Sequence, residues 1–132
     1  LLARTLLEQT QSGIATLAKK IEQLEALDNP NIVKVVLSQT GEALYFSRYA
    51  IPFLRGATPE NRLAQHTFYK HIGLYGFRRE TLLHITALSP TPLERAESLE
   101  QLRWLEYGFR IAVRITEMET IGVDTPEDLL RF

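Results

Sequence analysis

Cysteine is absent from the chain, which removes a disulfide framework, thiolate metal sites and a cysteine nucleophile together. An excess of one charge is absent too. Fifteen Lys and Arg face sixteen Asp and Glu, for a formal net charge of −1, whereas a surface that tracks nucleic-acid phosphates needs a basic surplus. No apolar run reaches the ~18–20 residues that cross a bilayer. The seven glycines are scattered, so neither G-x-x-x-x-G-K-[ST] nor G-x-G-x-x-G occurs, and the G-x-S-x-G and H-E-x-x-H signatures are missing as well. Aspartate is scarce, with only Asp28, Asp124 and Asp128. The sole methionine is Met118 and the first residue is Leu1, so the chain is expected to be a piece of a longer protein.

What is present suits one folded domain. A hydrophobic fraction of 45% in 132 residues is too high for a disordered tail, and a chain this size buries roughly 65–70% of its unfolded surface. The leucines at positions 1, 2, 6 and 7 have helical spacing, and Gly13 offers a stop, predicting a helix over Leu1 to Gln11. Gly13 to Ala18 reads as a strand, Lys19 to Ala26 as a surface helical turn, and Asp28 to Asn31 as dense turn chemistry. The β-branched run Ile32 to Leu37 and the run Ala43 to Phe46 flank a short Gly-containing link, which predicts a hairpin. Ile51 to Thr67 reads as a long loop. Lys70 to Phe77 is predicted as a strand and Arg79 to Ala87 as a helix. Thr91-Pro92-Leu93-Glu94 combines an N-cap, a first-turn proline and a capping glutamate, for a helix running to Tyr107. A strand over Phe109 to Ile115 and a helix start at Thr125 to Asp128 complete an α/β domain, with a mixed sheet because of the hairpin.

Three places stand out chemically. Asp124 precedes the predicted cap Thr125 at the end of an apolar stretch, where a carboxylate either ligates a hard cation such as Mg²⁺ or supports the turn. In the strand 70–77, His71, Gly73 and Tyr75 share one face by alternation. They form either a bare floor for a ligand or a packed His–Tyr pair. On the predicted helix, Glu97 and Gln101 project side by side with Glu94 nearby. Leu93, Leu99, Leu102 and Leu105 spread apolar groups around the circumference, so these polar groups are either enclosed, with Arg95, Arg103 or ligand hydroxyls as partners, or form a solvated face. Lys34 and Arg48 are candidate anion binders or strand-flanking charges. Trp104 and Phe109 read as packing.

Several strings occur together in order: NPNIVKVVL at 29–37, ALYFSR at 43–48 followed by Ile51-Pro52, KHIGLYGF at 70–77, PLE at 92–94 with ESLEQLR at 97–103, and GVDTPEDL at 122–129. The set resembles the C-terminal half of the CMP-Kdo synthetase family, the 3-deoxy-manno-octulosonate cytidylyltransferases. CMP-sialic acid synthetases are similar in outline. The resemblance implies a three-layer α/β/α nucleotide-diphospho-sugar transferase fold and a homodimer. It also implies a reaction in which CTP and Kdo give CMP-Kdo and pyrophosphate with Mg²⁺, for lipopolysaccharide assembly in the bacterial cytoplasm. Asp124 would be a Mg²⁺ ligand; His71, Tyr75, Glu97 and Gln101 would line the sugar pocket. Arg48 would sit near the sugar or its carboxylate, and Lys34 would be a basic group approaching the substrates. Residues 1–132 would then be the sugar-binding and dimer-forming half, the CTP-binding half lying before Leu1. Alternatives are a cytidylyltransferase for another acidic sugar, such as sialic acid, or a non-catalytic dimerisation or ligand-binding domain.

Overall fold

The computed structural model describes residues 1–9, 11–118, 126–127 and 130. Helix α1 (Leu2–Glu8) leads into β1 (Ile14–Lys20), a short α2 (Leu24–Asp28), and the hairpin β2 (Lys34–Leu37) and β3 (Ala43–Ser47). The 51–67 segment carries a 3-10 turn (Pro59–Asn61) and α3 (Arg62–Gln65), followed by β4 (Tyr69–Phe77), α4 (Arg79–Ile85), α5 (Pro92–Glu97), α6 (Gln101–Glu106) and β5 (Ile111–Ile115). The strands form one five-stranded sheet in the order β3-β2-β4-β1-β5. β1 and β5 are parallel and the other neighbours antiparallel, so the mixed sheet and the hairpin stand as read from the sequence.

Every residue from Ile14 to Ala18 in β1 is buried, so both faces of the sheet are covered, as in layered α/β domains. The registers place Ile14, Thr16 and Ala18 on one face, together with His71, Tyr75 and Phe77 of β4, Val35, Phe46 and the β5 residues Ile111 and Val113. Ile85, Leu99, Leu102 and Trp104 from α4 to α6 close over this face to form the main core. On the opposite face α1 lies close enough that a Cβ at Gly76 would stand 3.2 Å from Leu2 Cβ. A smaller core of Ile21, Leu27 and Phe68 gathers Ala50, Leu54 and Leu63 beneath the 51–67 segment.

Three elements differ from the sequence reading. The 51–67 segment, read as a long loop, holds a 3-10 turn and α3. Lys19 and Lys20 belong to β1, not to a helical turn, because their backbone pairs with Lys70 and Tyr69 of β4. The predicted helix from Pro92 to Tyr107 breaks into α5 and α6 at Ser98, whose φ of 55° is left-handed. There the Leu99 amide donates back to the Glu94 carbonyl at 3.2 Å, the bond that closes a helix ending on a left-handed residue. The two halves stay together through Arg103, whose Nε and Nη2 donate to Glu94 at 2.7 and 2.6 Å.

Candidate active site

His71 and Tyr75 lie side by side on the main-core face, their ring centroids 5.4 Å apart. Simple alternation would leave Gly73 between them, but the β1–β4 register skips there: Leu17 pairs with Ile72 and the adjacent Thr16 with Tyr75. Gly73 and Leu74 therefore leave the ladder as a bulge, which is how a strand re-aims its side chains. Both are exposed, and nothing lies within 4 Å of a Cβ placed on Gly73. The expected glycine floor is not there; the bulge instead brings His71 and Tyr75 into neighbouring rows. β4 has room to bulge because its β2 neighbour pairs only from Lys34 to Val35, with one further bond from the His71 amide to Val33 O at 2.7 Å.

The pair is set in aromatic surroundings. Phe46 presents an edge contact to His71 at 4.9 Å, and Trp104 does the same to Tyr75 at 5.1 Å. Burial lowers the His71 imidazole to about 4, so it is neutral near pH 7. Burial, with the Glu100 carboxylate as a lesser cause, raises the Tyr75 phenol well above its ordinary range. The polar partner of His71 is Thr16, whose Oγ1 is 2.8 Å from Nε2. Sequence reasoning passed over Thr16, although it is the one hydroxyl in the apolar run Ile14–Ala18.

Glu97 and Gln101 do not share one helix face. Glu97 ends α5 and Gln101 begins α6, on either side of the Ser98 break. Glu97 is half-buried and accepts the Arg48 amide on Oε1 at 3.0 Å. Burial raises the nearby Tyr45 phenol, with the Glu97 carboxylate adding to the effect. Gln101 is buried, one helical turn before Trp104. Arg48 is a strap: Nε donates to Glu97 O at 2.7 Å, Nη1 to Pro30 O at 2.9 Å and Nη2 to Ser98 O at 3.2 Å. A cation on the last carbonyls of a helix is favourably placed against the helix dipole.

Lys34 stands apart from this group. It alternates with Val35, so its side chain leaves the sheet on the face opposite His71 and Tyr75. It is fully buried, and its amine donates to Asn29 O at 2.9 Å and Ile32 O at 2.5 Å. Burial lowers this amine to about 8 despite the Asp28 carboxylate. Such an amine braces the 29–32 turn, a structural role of the kind that stands as the alternative to anion binding in the sequence reading. Asp124 and its neighbour Thr125 lie outside the described residues. A separate cleft of about 350 Å³, lined by residues such as Pro52, Phe53 and Leu54 beside the Asp28–Arg62 ion pair, includes none of the expected site residues.

Tyr75 meets Trp104 of α6, the helix that Gln101 begins, and His71 meets Phe46 of β3, the strand that ends just before Arg48 and its bonds to Glu97. A neutral imidazole, a protonated phenol, an amide and a carboxylate are groups that recognise hydroxyls.

Residues 1–117 match the family model described as cytidylyltransferase. The chain is similar to a 3-deoxy-manno-octulosonate cytidylyltransferase from Cytophaga hutchinsonii, 58% identical over 119 residues, or 89% of this chain and 48% of the relative. Proteins of the same description from Bacteroides thetaiotaomicron and Dichelobacter nodosus are 55% and 49% identical, over 92% and 98% of this chain and 50% of each relative. A solved structure of CMP:2-keto-3-deoxy-manno-octonic acid synthetase complexed with CTP matches with a TM-score of 0.84 at 35% identity, covering 98% of this chain and 51% of that one. The chain spans about half the length of the curated relatives it matches.

Proposed function

Because the chain belongs to the cytidylyltransferase family, we propose that it carries the acceptor-sugar side of an enzyme that transfers CMP from CTP to 3-deoxy-D-manno-octulosonate. The anomeric hydroxyl of the sugar attacks the α-phosphorus of CTP, its proton is lost, and the bond to pyrophosphate breaks. Such a transfer asks the protein chiefly for positioning and charge compensation. The observation that supports the reading is the bulged β4, which sets His71 and Tyr75 side by side against Phe46 of β3, the strand just before Arg48, and Trp104 of α6, the helix that Gln101 begins. In this proposal His71, Tyr75, Glu97 and Gln101 recognise the sugar hydroxyls. Arg48 orders the Glu97–Ser98 corner beside the acidic sugar, and Lys34 supports the adjoining turn. In the same reading the nucleotide side of the site belongs to the half of the family fold that this chain does not span.

Mg²⁺ belongs to the same proposal. Among the described residues no group of three or more His, Asp or Glu side chains converges as a metal site. The expected ligand is Asp124. A homodimer in the bacterial cytoplasm is likewise proposed, and solution mass of the complete protein tests the dimer. No helix among the described residues is long and apolar enough to cross a membrane.

Pyrophosphate release by the complete protein, measured with Kdo and with sialic acid, tests the substrate. Preference for Kdo is expected. Preference for sialic acid reassigns the acceptor, and no CTP-dependent turnover with either leaves a non-catalytic module. The 132-residue chain by itself is expected to show no turnover. Asp124→Asn in the complete protein is expected to lose most activity with the fold retained. Wild-type rates in that variant remove the carboxylate from the mechanism.

A further inference from the structure

Thr16 is fully buried in β1, beside the central strand β4, and its hydroxyl has more neighbours than one proton can serve. Oγ1 lies 2.7 Å from Leu74 O, 3.2 Å from Ile72 O and 2.8 Å from His71 Nε2. The two carbonyls can only accept, so the hydroxyl proton goes to them, and to Leu74 O first because it is closer. The oxygen lone pairs then face His71 Nε2, which must be the donor. This arrangement assigns the proton of the neutral imidazole to Nε2 and leaves the lone pair on Nδ1. One carbonyl, Ile72 O, borders the bulge and the other, Leu74 O, belongs to its second residue. One hydroxyl therefore holds both the bulge that sets Tyr75 beside His71 and the orientation of the imidazole.

We infer that Thr16 is the positioning residue of the acceptor-sugar site, fixing His71 as the Nε2–H tautomer so that Nδ1 accepts a hydrogen bond from a substrate hydroxyl. This rests on the sugar-site reading above. Thr16 itself touches no substrate; it acts through His71. The burial that keeps His71 neutral over the working pH range preserves the acceptor.

Long-range ¹H–¹⁵N correlation spectra of the ¹⁵N-histidine-labelled complete protein report the tautomer directly. Wild type is expected to show a protonated Nε2 and a bare Nδ1 at His71; a protonated Nδ1 overturns the inference without any variant being made. Thr16→Val keeps the side-chain shape and removes the hydroxyl. It is expected to admit the other tautomer and to raise KM for the sugar about tenfold, in line with losing one oriented hydrogen bond. The KM for CTP is expected to be unchanged and kcat to fall less than about threefold. Thr16→Ser, which restores the hydroxyl, is expected to recover both tautomer and KM. A Thr16→Val protein with wild-type spectrum and wild-type sugar KM refutes the positioning role. The sugar-site reading fails separately, if His71→Asn leaves the sugar KM unchanged while the wild-type spectrum still shows the Nε2–H form.

Discussion

Replacing Arg48 by methionine keeps the stem of the side chain and removes the strap. Three guanidinium bonds go with it, to Glu97 O, Pro30 O and Ser98 O. Their values differ by environment. The bonds to Pro30 O and Ser98 O are at the surface, where water replaces the lost donor and each counts for about 0.5 kcal/mol or less. The bond to Glu97 O is shorter, at 2.7 Å, and part-buried, so it carries about 1.5 kcal/mol as a charge-assisted bond. The expected loss is about 2–3 kcal/mol, including the favourable placement of a cation at the C-terminus of α5. In urea titrations this lowers the midpoint by roughly 1–2 M with the slope unchanged. Arg48→Lys keeps the charge but offers one donor group in place of a planar fork, and is expected to recover less than half of the loss. A midpoint for Arg48→Met within about 0.2 M of wild type refutes the strap. Under fully native conditions the same variant is expected to raise KM for the acidic sugar, because the corner that positions Glu97 has been released.

Two further expectations concern the scaffold. His71 titrates near 4 in the folded protein and near its ordinary 6.5 when unfolded, so the unfolded chain binds this proton first as pH falls. Its contribution is fully present above pH 6.5 and is lost toward pH 4, about 3 kcal/mol in all with more than half gone by pH 5. Denaturation midpoints measured from pH 7 to 5 are expected to fall along this curve and to flatten in His71→Gln; equal pH slopes for the two proteins contradict it. At Gly13 an added Cβ would lie 2.0 Å from Thr81 Oγ1 and 2.8 Å from Thr81 Cβ and Cγ2, so Gly13→Ala is expected to destabilise by about 1–3 kcal/mol. Adding Thr81→Ala should return part of that in a thermal melt, since only the Cβ contact then remains, and no recovery would place the strain elsewhere.

The strands and the hairpin were legible because each is a local pattern. β-branched runs, alternation and the Gly41 link lie within a few residues of the elements they specify. The Thr91–Glu94 start of α5 was legible for the same reason, and the Thr91 amide does donate to Glu94 Oε2, at 3.3 Å. What stayed hidden depends on residues distant in sequence. Nothing local ends α5 at Ser98, which is neither glycine nor asparagine, yet its carbonyl and that of Glu97 are held by Arg48, 50 and 49 residues away. The β4 bulge was invisible for a related reason. Strict alternation is the default for KHIGLYGF, and its interruption depends on β2 stopping short and on Thr16 reaching two carbonyls from the neighbouring strand. Lys34 looked like an anion binder because a lysine inside an apolar run needs a purpose. Its partners are carbonyls of its own turn, which composition cannot disclose. Asp124 could be named from its place before Thr125-Pro126 but lies outside the described residues.

The cost structure of the main-core face bears on why a polar pair sits there at all. Thr16 and His71 lie on a face otherwise made of Ile14, Val35, Phe46, Phe77, Ile111 and Val113. An apolar pair of matching shape would serve packing as well or better, since two partnered polar groups in a core are roughly neutral against well-packed hydrophobes. The polar pair also exposes the fold to acid, because a neutral buried imidazole is lost when it must charge. Stability alone therefore does not account for it. Other departures from local rules have a structural account, the buried Lys34 through its turn carbonyls and the left-handed Ser98 through Arg48, whereas the Thr16–His71 pair has none beyond the bulge it holds. Here the departure coincides with the one bulge in the central pair of strands and with the aromatic contacts from Phe46 and Trp104. The same few residues that weaken the core as packing bring hydroxyl-binding groups together, and that is the physical ground for the proposal that sets the acceptor sugar at β4 and not in the cleft beside Pro52 and Phe53.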